Sequence, residues 1–248
     1  MRLTHASEIG LRSYQEDRYF MKELELAKDS GLFLAVMDGH GGDEVSQFCK
    51  DSLEGIIAKV TEDKEVVGLA EIQAIFRLLN EKTCEMESGS TLSLAFISYT
   101  QERVYVGILG DSPVIVKDRD SKVNIGPEHN AGTNIKERQA VIKRGACYFN
   151  GYIGEHPAGN GLQLTRSLGD REFRNFLDRS PEVYSVRIGP NSFVALLSDG
   201  VADPGHLSSD SIQGVISMIE DGASAPDLVK DALERETRDN VTAIVWIK

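Results

Sequence analysis

The chain has 248 residues, 41% of them hydrophobic and 27% charged, the ordinary balance of a globular protein that can bury a sizeable core. Acidic side chains (39) outnumber basic ones (27), for a net charge of −12. That balance argues against a nucleic-acid or anionic-membrane partner, since either would need a basic surface.

In chain order, strand-like runs rich in Val, Phe, Tyr and Leu fall at 18–24 (RYFMKEL) and 31–37 (GLFLAVM). Val45, Phe48, Cys49, Leu53, Ile56, Ile57 and Val60 then recur at helical spacing along one face, and a second helix is predicted over about 66–86. Strands follow at 90–98, 103–109 and 113–117, and IKERQAVIKRG (135–145) reads as a short helix stopped by Gly145. The glycine-rich stretch 145–170 reads as an exposed loop system. Strands at 192–198 and 241–247 flank two helical stripes. One is Ile212, Val215, Ile216 and Ile219; the other is Leu228, Val229, Ala232 and Leu233, with Pro226 suited to a first helical turn. Short turns between strands, with helices arriving in pairs, favour antiparallel sheets flanked by helices. With no linker or repeat, a single domain over 1–248 is expected.

Three widely spaced cysteines, Cys49, Cys84 and Cys147, show no disulfide framework and suggest a reducing compartment. There is no signal-peptide pattern or apolar run of spanning length, so a cytoplasmic protein is expected.

Four apolar strands carry an aspartate at one end: Asp38, Asp111 and Asp199 follow their runs, and Asp239 precedes the last. One Asp-Gly alone is ordinary turn chemistry. Burying an unpaired carboxylate is costly, however, and only Arg238 stands directly beside one of the four. Several carboxylates held by rigid elements suit a hard divalent cation. Arg12, four residues before Glu16-Asp17, offers a planar fork for a phosphate or carboxylate; judged in isolation it reads as a surface ion pair with Glu16. Cysteine phosphatase chemistry is excluded, because the C-x₅-R position holds Gly55, Ser90 or Ile153. No P-loop exists, and Lys122 breaks the aspartyl-phosphate pattern begun by DRDSK (118–122).

Taken in order, RSYQED (12–17), DGHGG (38–42), SGST (88–91), GDS (110–112), LTRSLGD (164–170), SDGVAD (198–203) and RDNVTAIV (238–245) resemble the metal-dependent serine/threonine protein phosphatases of type 2C, the PPM family. The resemblance implies an α+β fold, a four-layer α/β/β/α sandwich of two stacked, mainly antiparallel sheets flanked by helix pairs. The stretch 145–170 would be the family's variable flap. The implied centre binds two Mn²⁺ or Mg²⁺ ions bridged by Asp38, with the Gly39 carbonyl on one and Asp199 and Asp239 on the other. Glu16 would hold the Gly39-side ion through water, with Asp17 behind it. Asp111 and Asp203 would join Asp199 at a weaker third ion. Arg12 would grip the substrate phosphate and His40 would protonate the leaving alkoxide. The implied activity is hydrolysis of phosphoserine and phosphothreonine in proteins by a bridging water, without a covalent phosphoenzyme. Its partners would be phosphoproteins and an opposing serine/threonine kinase, and the enzyme a monomer. Pro113 stands where the family commonly has arginine after GDS, and Arg166 is expected in an internal ion pair. A pseudophosphatase-like binding module, the alternative, should have lost ligand carboxylates; here they are all present.

Overall fold

The computed structural model describes residues 1–157, 159–202 and 209–248. Strands β1 (Arg2–Glu8), β2 (Arg18–Glu25), β3 (Ser30–Met37) and the short β4 (Gly39–His40) lead into helices α1 (Glu44–Thr61) and α2 (Leu69–Thr83). Next come β5 (Gly89–Ser90), β6 (Leu92–Ser98), β7 (Arg103–Leu109), β8 (Val114–Lys117), β9 (Val123–Ile125) and helix α3 (Ile135–Lys143). The chain continues through β10 (Cys147–Phe149), β11 (Tyr152–Gly154), β12 (Leu168–Gly169), β13 (Glu182–Arg187) and β14 (Phe193–Leu197). It closes with α4 (Asp199–Ala202), α5 (Ser209–Glu220), α6 (Ala225–Glu234) and β15 (Val241–Ile247).

Two five-stranded antiparallel sheets carry the fold, in the orders β1-β15-β14-β8-β9 and β13-β7-β6-β3-β2. Strand β3 reads as an unbroken apolar run because both of its faces are buried. Leu32, Leu34 and Val36 point between the sheets, where they join Ile97, Val106, Val194, Leu196, Ile244 and Trp246. Phe33, Ala35 and Met37 point outward and pack under α1 and α2 with Leu53, Ile57, Ile72, Phe76 and Leu79. On the far side Ala195, Leu197, Ala243 and Val245 are covered by Val215 and Ile219 of α5 and Leu228, Val229 and Ala232 of α6. The result is the α/β/β/α order of layers expected from the resemblance.

Local chemistry adjusts the predicted boundaries. The second helix starts at Leu69, not near 66, because Gly68 is extended and its N–H donates to Glu71 Oε2 at 3.0 Å. Asn134 caps α3 by accepting from the Lys136 and Glu137 amides, and Gly145 stops it at φ +102°. The stretch 145–170 is more ordered than a loop: β10 pairs with β11, and Ile153, Leu162 and Leu164 share a small core with Val141, Phe176 and Leu177. Strands β1 and β13 were absent from the sequence expectation. Both are sheet edges with mixed, half-exposed side chains, so neither shows a sustained apolar run.

Candidate active site

Strand direction decides where the acidic residues meet. Because β2 runs antiparallel to β3, the start of β2, just after Glu16-Asp17, lies beside the end of β3, just before Asp38. Strand β7 is two antiparallel steps from β3 and therefore ends at the same edge, delivering Asp111. In the other sheet the end of β14, leading to Asp199, and the start of β15, after Asp239, coincide for the same reason. Both sheets thus turn one edge toward a common cleft of about 520 Å³, lined by Arg12, Glu16, Asp38, Gly39, His40, Asp111, Asp199 and Asp239.

The Asp38 amide donates to Thr91 Oγ1 at 3.0 Å, and the Asp38 carbonyl accepts from the Thr91 amide at 2.9 Å, so the strand end is clamped from both sides. The Asp199 amide reaches Asp38 Oδ2 at 3.4 Å, while Asp199 Oδ1 is buried without a hydrogen-bond partner among the described residues. Loss of water, then repulsion from neighbouring aspartates, holds the carboxyls of Asp38 and Asp199 well above the usual carboxylate range. Burial also pushes Asp17 up to about 6, against hydrogen bonds from Thr242 and Ser198 that favour the anion; its Oδ2 is likewise unpartnered.

Glu16 is buried, its amide donating to Asn240 Oδ1 at 2.8 Å and its Oε1 accepting from the Gly42 amide at 2.6 Å. The glycine turn therefore has a function beyond leaving space. Gly42 takes φ +120° to aim its N–H at Glu16, and a Cβ on Gly39 would lie 2.6 Å from the Glu16 carbonyl oxygen.

Arg12 does not pair with Glu16, the partner expected from sequence proximity. Its Nη2 donates to Asp239 Oδ2 at 2.6 Å and its Nε to the Arg238 carbonyl at 3.1 Å. The pair lies at the rim, with the Arg12 side chain 48% exposed, so solvent screens it. Asp239 Oδ1 accepts from the Asn240 amide at 2.8 Å. Among the described residues no three His, Cys, Asp or Glu side chains are already gathered as a closed metal cage. Asp38 and Asp199 stand together, and Asp239 is turned to Arg12. Asp111 accepts from Asn130 Nδ2 at 2.8 Å. Asp203 lies outside the described residues.

His40 is not a free turn histidine. Its Nε2 lies 2.8 and 3.0 Å from the two carboxylate oxygens of Asp170, a residue 4% exposed. Burial pulls the imidazole pKa down, but the Asp170 hydrogen bond and charge outweigh it and the net shift is upward. Asp170 was not among the residues singled out in the sequence; the terminal Asp of LTRSLGD was its only trace. Thr91 and Asn240, which brace Asp38 and Glu16, were missed for the same reason: small polar residues beside a motif carry no charge pattern. Arg166 does form the internal ion pair expected of it, with Nη2 2.6 Å from Glu137 Oε1.

A family model for protein phosphatase 2C matches residues 6–241. Among curated proteins, probable protein phosphatase 2C 17 of Arabidopsis thaliana is 27% identical over 222 residues, covering 87% of this chain and 77% of that protein. Probable protein phosphatase 2C 59 of the same plant is 28% identical, covering 97% of this chain and 78% of its own length. Among solved structures, a C. elegans sex determining protein superposes with a TM-score of 0.80 at 24% identity, covering 99% of this chain; this chain spans 64% of that one, just under two thirds. The serine-threonine phosphatase 2C from Toxoplasma gondii gives 0.78 at 22% identity, covering 99% and 94% of the two chains. The catalytic domain of the serine threonine protein phosphatase PstP, in complex with two manganese ions, gives 0.67 at 21% identity, covering 98% and 96%. The structural likenesses establish the shared fold.

Proposed function

The chain belongs to the protein phosphatase 2C family of serine/threonine protein phosphatases, and on that premise we propose that its cleft hydrolyses phosphoserine and phosphothreonine by direct attack of water, without a phosphoenzyme, in a centre for two Mn²⁺ or Mg²⁺ ions. The observation that carries this reading is the group of carboxylates at the cleft floor with too few cationic partners. Asp199 Oδ1 and Asp17 Oδ2 have no hydrogen-bond partner among the described residues, and Asp38 and Asp199 stand together with raised pKa values. An all-oxygen donor set that repels itself fits hard divalent cations.

Asp38, Asp199, Asp239 and the Gly39 carbonyl would hold the two ions, with Glu16 on the Gly39 side and Asp17 behind. Asp111 would serve a weaker third ion with Asp199 and Asp203, the last assigned from sequence alone. Two bound cations supply Lewis acidity, which lowers the pKa of the attacking water and offsets charge on the phosphoryl oxygens. Spontaneous phosphate-monoester hydrolysis is extremely slow, so the chain's own groups must add to that stabilisation. Arg12 is the sole arginine or lysine among the described lining residues, and its half-exposed fork can exchange Asp239 for a substrate phosphate. His40, between Gly39 and Gly41-Gly42, protonates the seryl or threonyl oxygen as it leaves.

Tyr152, Asn160 and Gln163 of the 145–170 segment line one wall of the cleft, consistent with a flap over a single catalytic domain. The reading extends to a cytoplasmic monomer acting on phosphoproteins against a serine/threonine kinase; no helix of the described residues is long and apolar enough to cross a membrane. Phosphate release from phosphoserine, phosphothreonine and phosphotyrosine peptides tests the substrate class. Release is expected from the first two with Mn²⁺ present; turnover confined to phosphotyrosine would refute it.

A further inference from the structure

We propose that Asp170 is a positioning residue for proton donation: it holds the Nε2–H of His40 and so turns Nδ1 toward the substrate. The assignment rests on the phosphatase reading above for its chemistry, but its geometry stands independently.

A small three-stranded sheet exists at this point. Its β4 pairs with β5, placing His40 opposite Gly89, and β5 pairs with β12, placing Gly89 opposite Gly169. Residue 170 follows directly, so residues 130 positions apart in sequence are brought together by backbone pairing. A Cβ on Gly89 would lie 2.2 Å from His40 Nε2 and 2.3 Å from Asp170 Oδ2, so only glycine lets the two side chains meet across the strand.

The carboxylate is itself fixed. Ser167 Oγ donates to Asp170 Oδ2, and the Asp170 amide donates to the Ser88 carbonyl at 2.9 Å. Arg179 braces the segment by donating to the Ser167 carbonyl. Asp170 also adopts a left-handed φ of +52°, a conformation uncommon for a residue with a side chain.

A carboxylate can only accept, so the proton between the pair belongs to Nε2. Among the described residues none hydrogen-bonds Nδ1, and the His40 side chain is 28% exposed on the cleft. In the reaction, water oxygen bonds to phosphorus as the bond from phosphorus to the seryl or threonyl oxygen breaks. The imidazolium passes its Nδ1 proton to that oxygen. The attacking water gives up one proton to solvent; the Nε2–H tautomer of His40 remains, and solvent returns a proton to Nδ1.

Two measurements on the full chain test the assignment. Nitrogen-15 NMR of the wild-type His40 ring should show the Nε2–H tautomer, and Asp170→Asn should lose that preference. A ring in the Nδ1–H tautomer in the wild type would overturn the proposal. In Mn²⁺-loaded protein, Asp170→Asn should lower kcat on a phosphothreonine peptide by about 10-fold or more, with KM little changed. It should lower kcat on p-nitrophenyl phosphate by less than about 3-fold, since p-nitrophenolate leaves without a proton. Equal losses on both substrates would overturn it. Wild-type protein that hydrolyses neither substrate refutes the phosphatase reading instead, and the NMR then decides the Asp170 assignment alone.

Discussion

The backbone N–H of Asp199 reaches the carboxylate of Asp38 across 3.4 Å, although the two residues follow strands of different sheets. Two aspartates converge where the sandwich closes, and their carboxyls are held above the usual range by loss of water and by the charge of neighbouring aspartates, Asp199 foremost for Asp38 and Asp111 for Asp199. A carboxyl whose folded pKa is raised contributes stability at low pH and loses it as pH rises through the folded value. At neutral pH without cations, the site therefore opposes folding. Asp199→Asn should raise the Tm of chelator-treated protein at pH 7 by on the order of a few degrees. The same change should remove most of the Tm increase that Mn²⁺ gives the wild type. Thermal unfolding of both proteins, with Mn²⁺ and with chelator, checks both effects. A lower Tm for the chelated variant would contradict this account of the site.

Arg12 pairs with Asp239 at an exposed rim, where such an ion pair contributes roughly 0–1 kcal/mol. Arg12→Ala should lower Tm by no more than about 2–4 °C. If its fork binds phosphate, KM should rise by on the order of 10-fold or more. Steady-state kinetics on a phosphothreonine peptide, set beside thermal unfolding, separates the two. A large fall in Tm with unchanged KM would assign Arg12 to the fold instead.

Gly89→Ala should damage catalysis more than folding. The new methyl group would enter the space between the His40 ring and the Asp170 carboxylate and force the two apart. Turnover of a phosphothreonine peptide should drop by about 10-fold or more, with smaller loss on p-nitrophenyl phosphate. Circular dichroism of the variant should match the wild type.

His129 offers a separate pH test. It is fully buried, and desolvation, then the charge of Arg166, pushes its pKa down to about 4. For a histidine depressed on folding, the unfolded chain binds the proton first as pH falls. Stability is therefore lost between about 6.5 and 4, by on the order of 3 kcal/mol. Urea unfolding from pH 7 to 4 should show a shallower decline in His129→Gln than in the wild type. Parallel declines would exclude His129 as the source.

The central strands and the acidic residues were legible in the sequence because their physics is local. Strand β3 is buried on both faces and reads as an apolar run, and a carboxylate at the end of such a run is conspicuous. Strands β1 and β13, half-exposed at sheet edges, left no such pattern. Pairings across the fold were not legible either. Nothing near Arg12 names Asp239, and nothing near His40 names Asp170; the first contact exists only once β1 pairs with β15, the second only once β4, β5 and β12 pair.

On this reading the carboxylates at the sheet edge form a cation centre that drives phosphate hydrolysis. The decisive experiment is phosphate release from a phosphothreonine peptide, measured while Mn²⁺ is titrated into chelator-stripped wild type and Asp199→Asn. Saturable, Mn²⁺-dependent turnover is expected in the wild type, reversed by chelator and reduced by at least about 100-fold in Asp199→Asn. Turnover that persists in chelator, or an Asp199→Asn variant as active as the wild type, would contradict this reading.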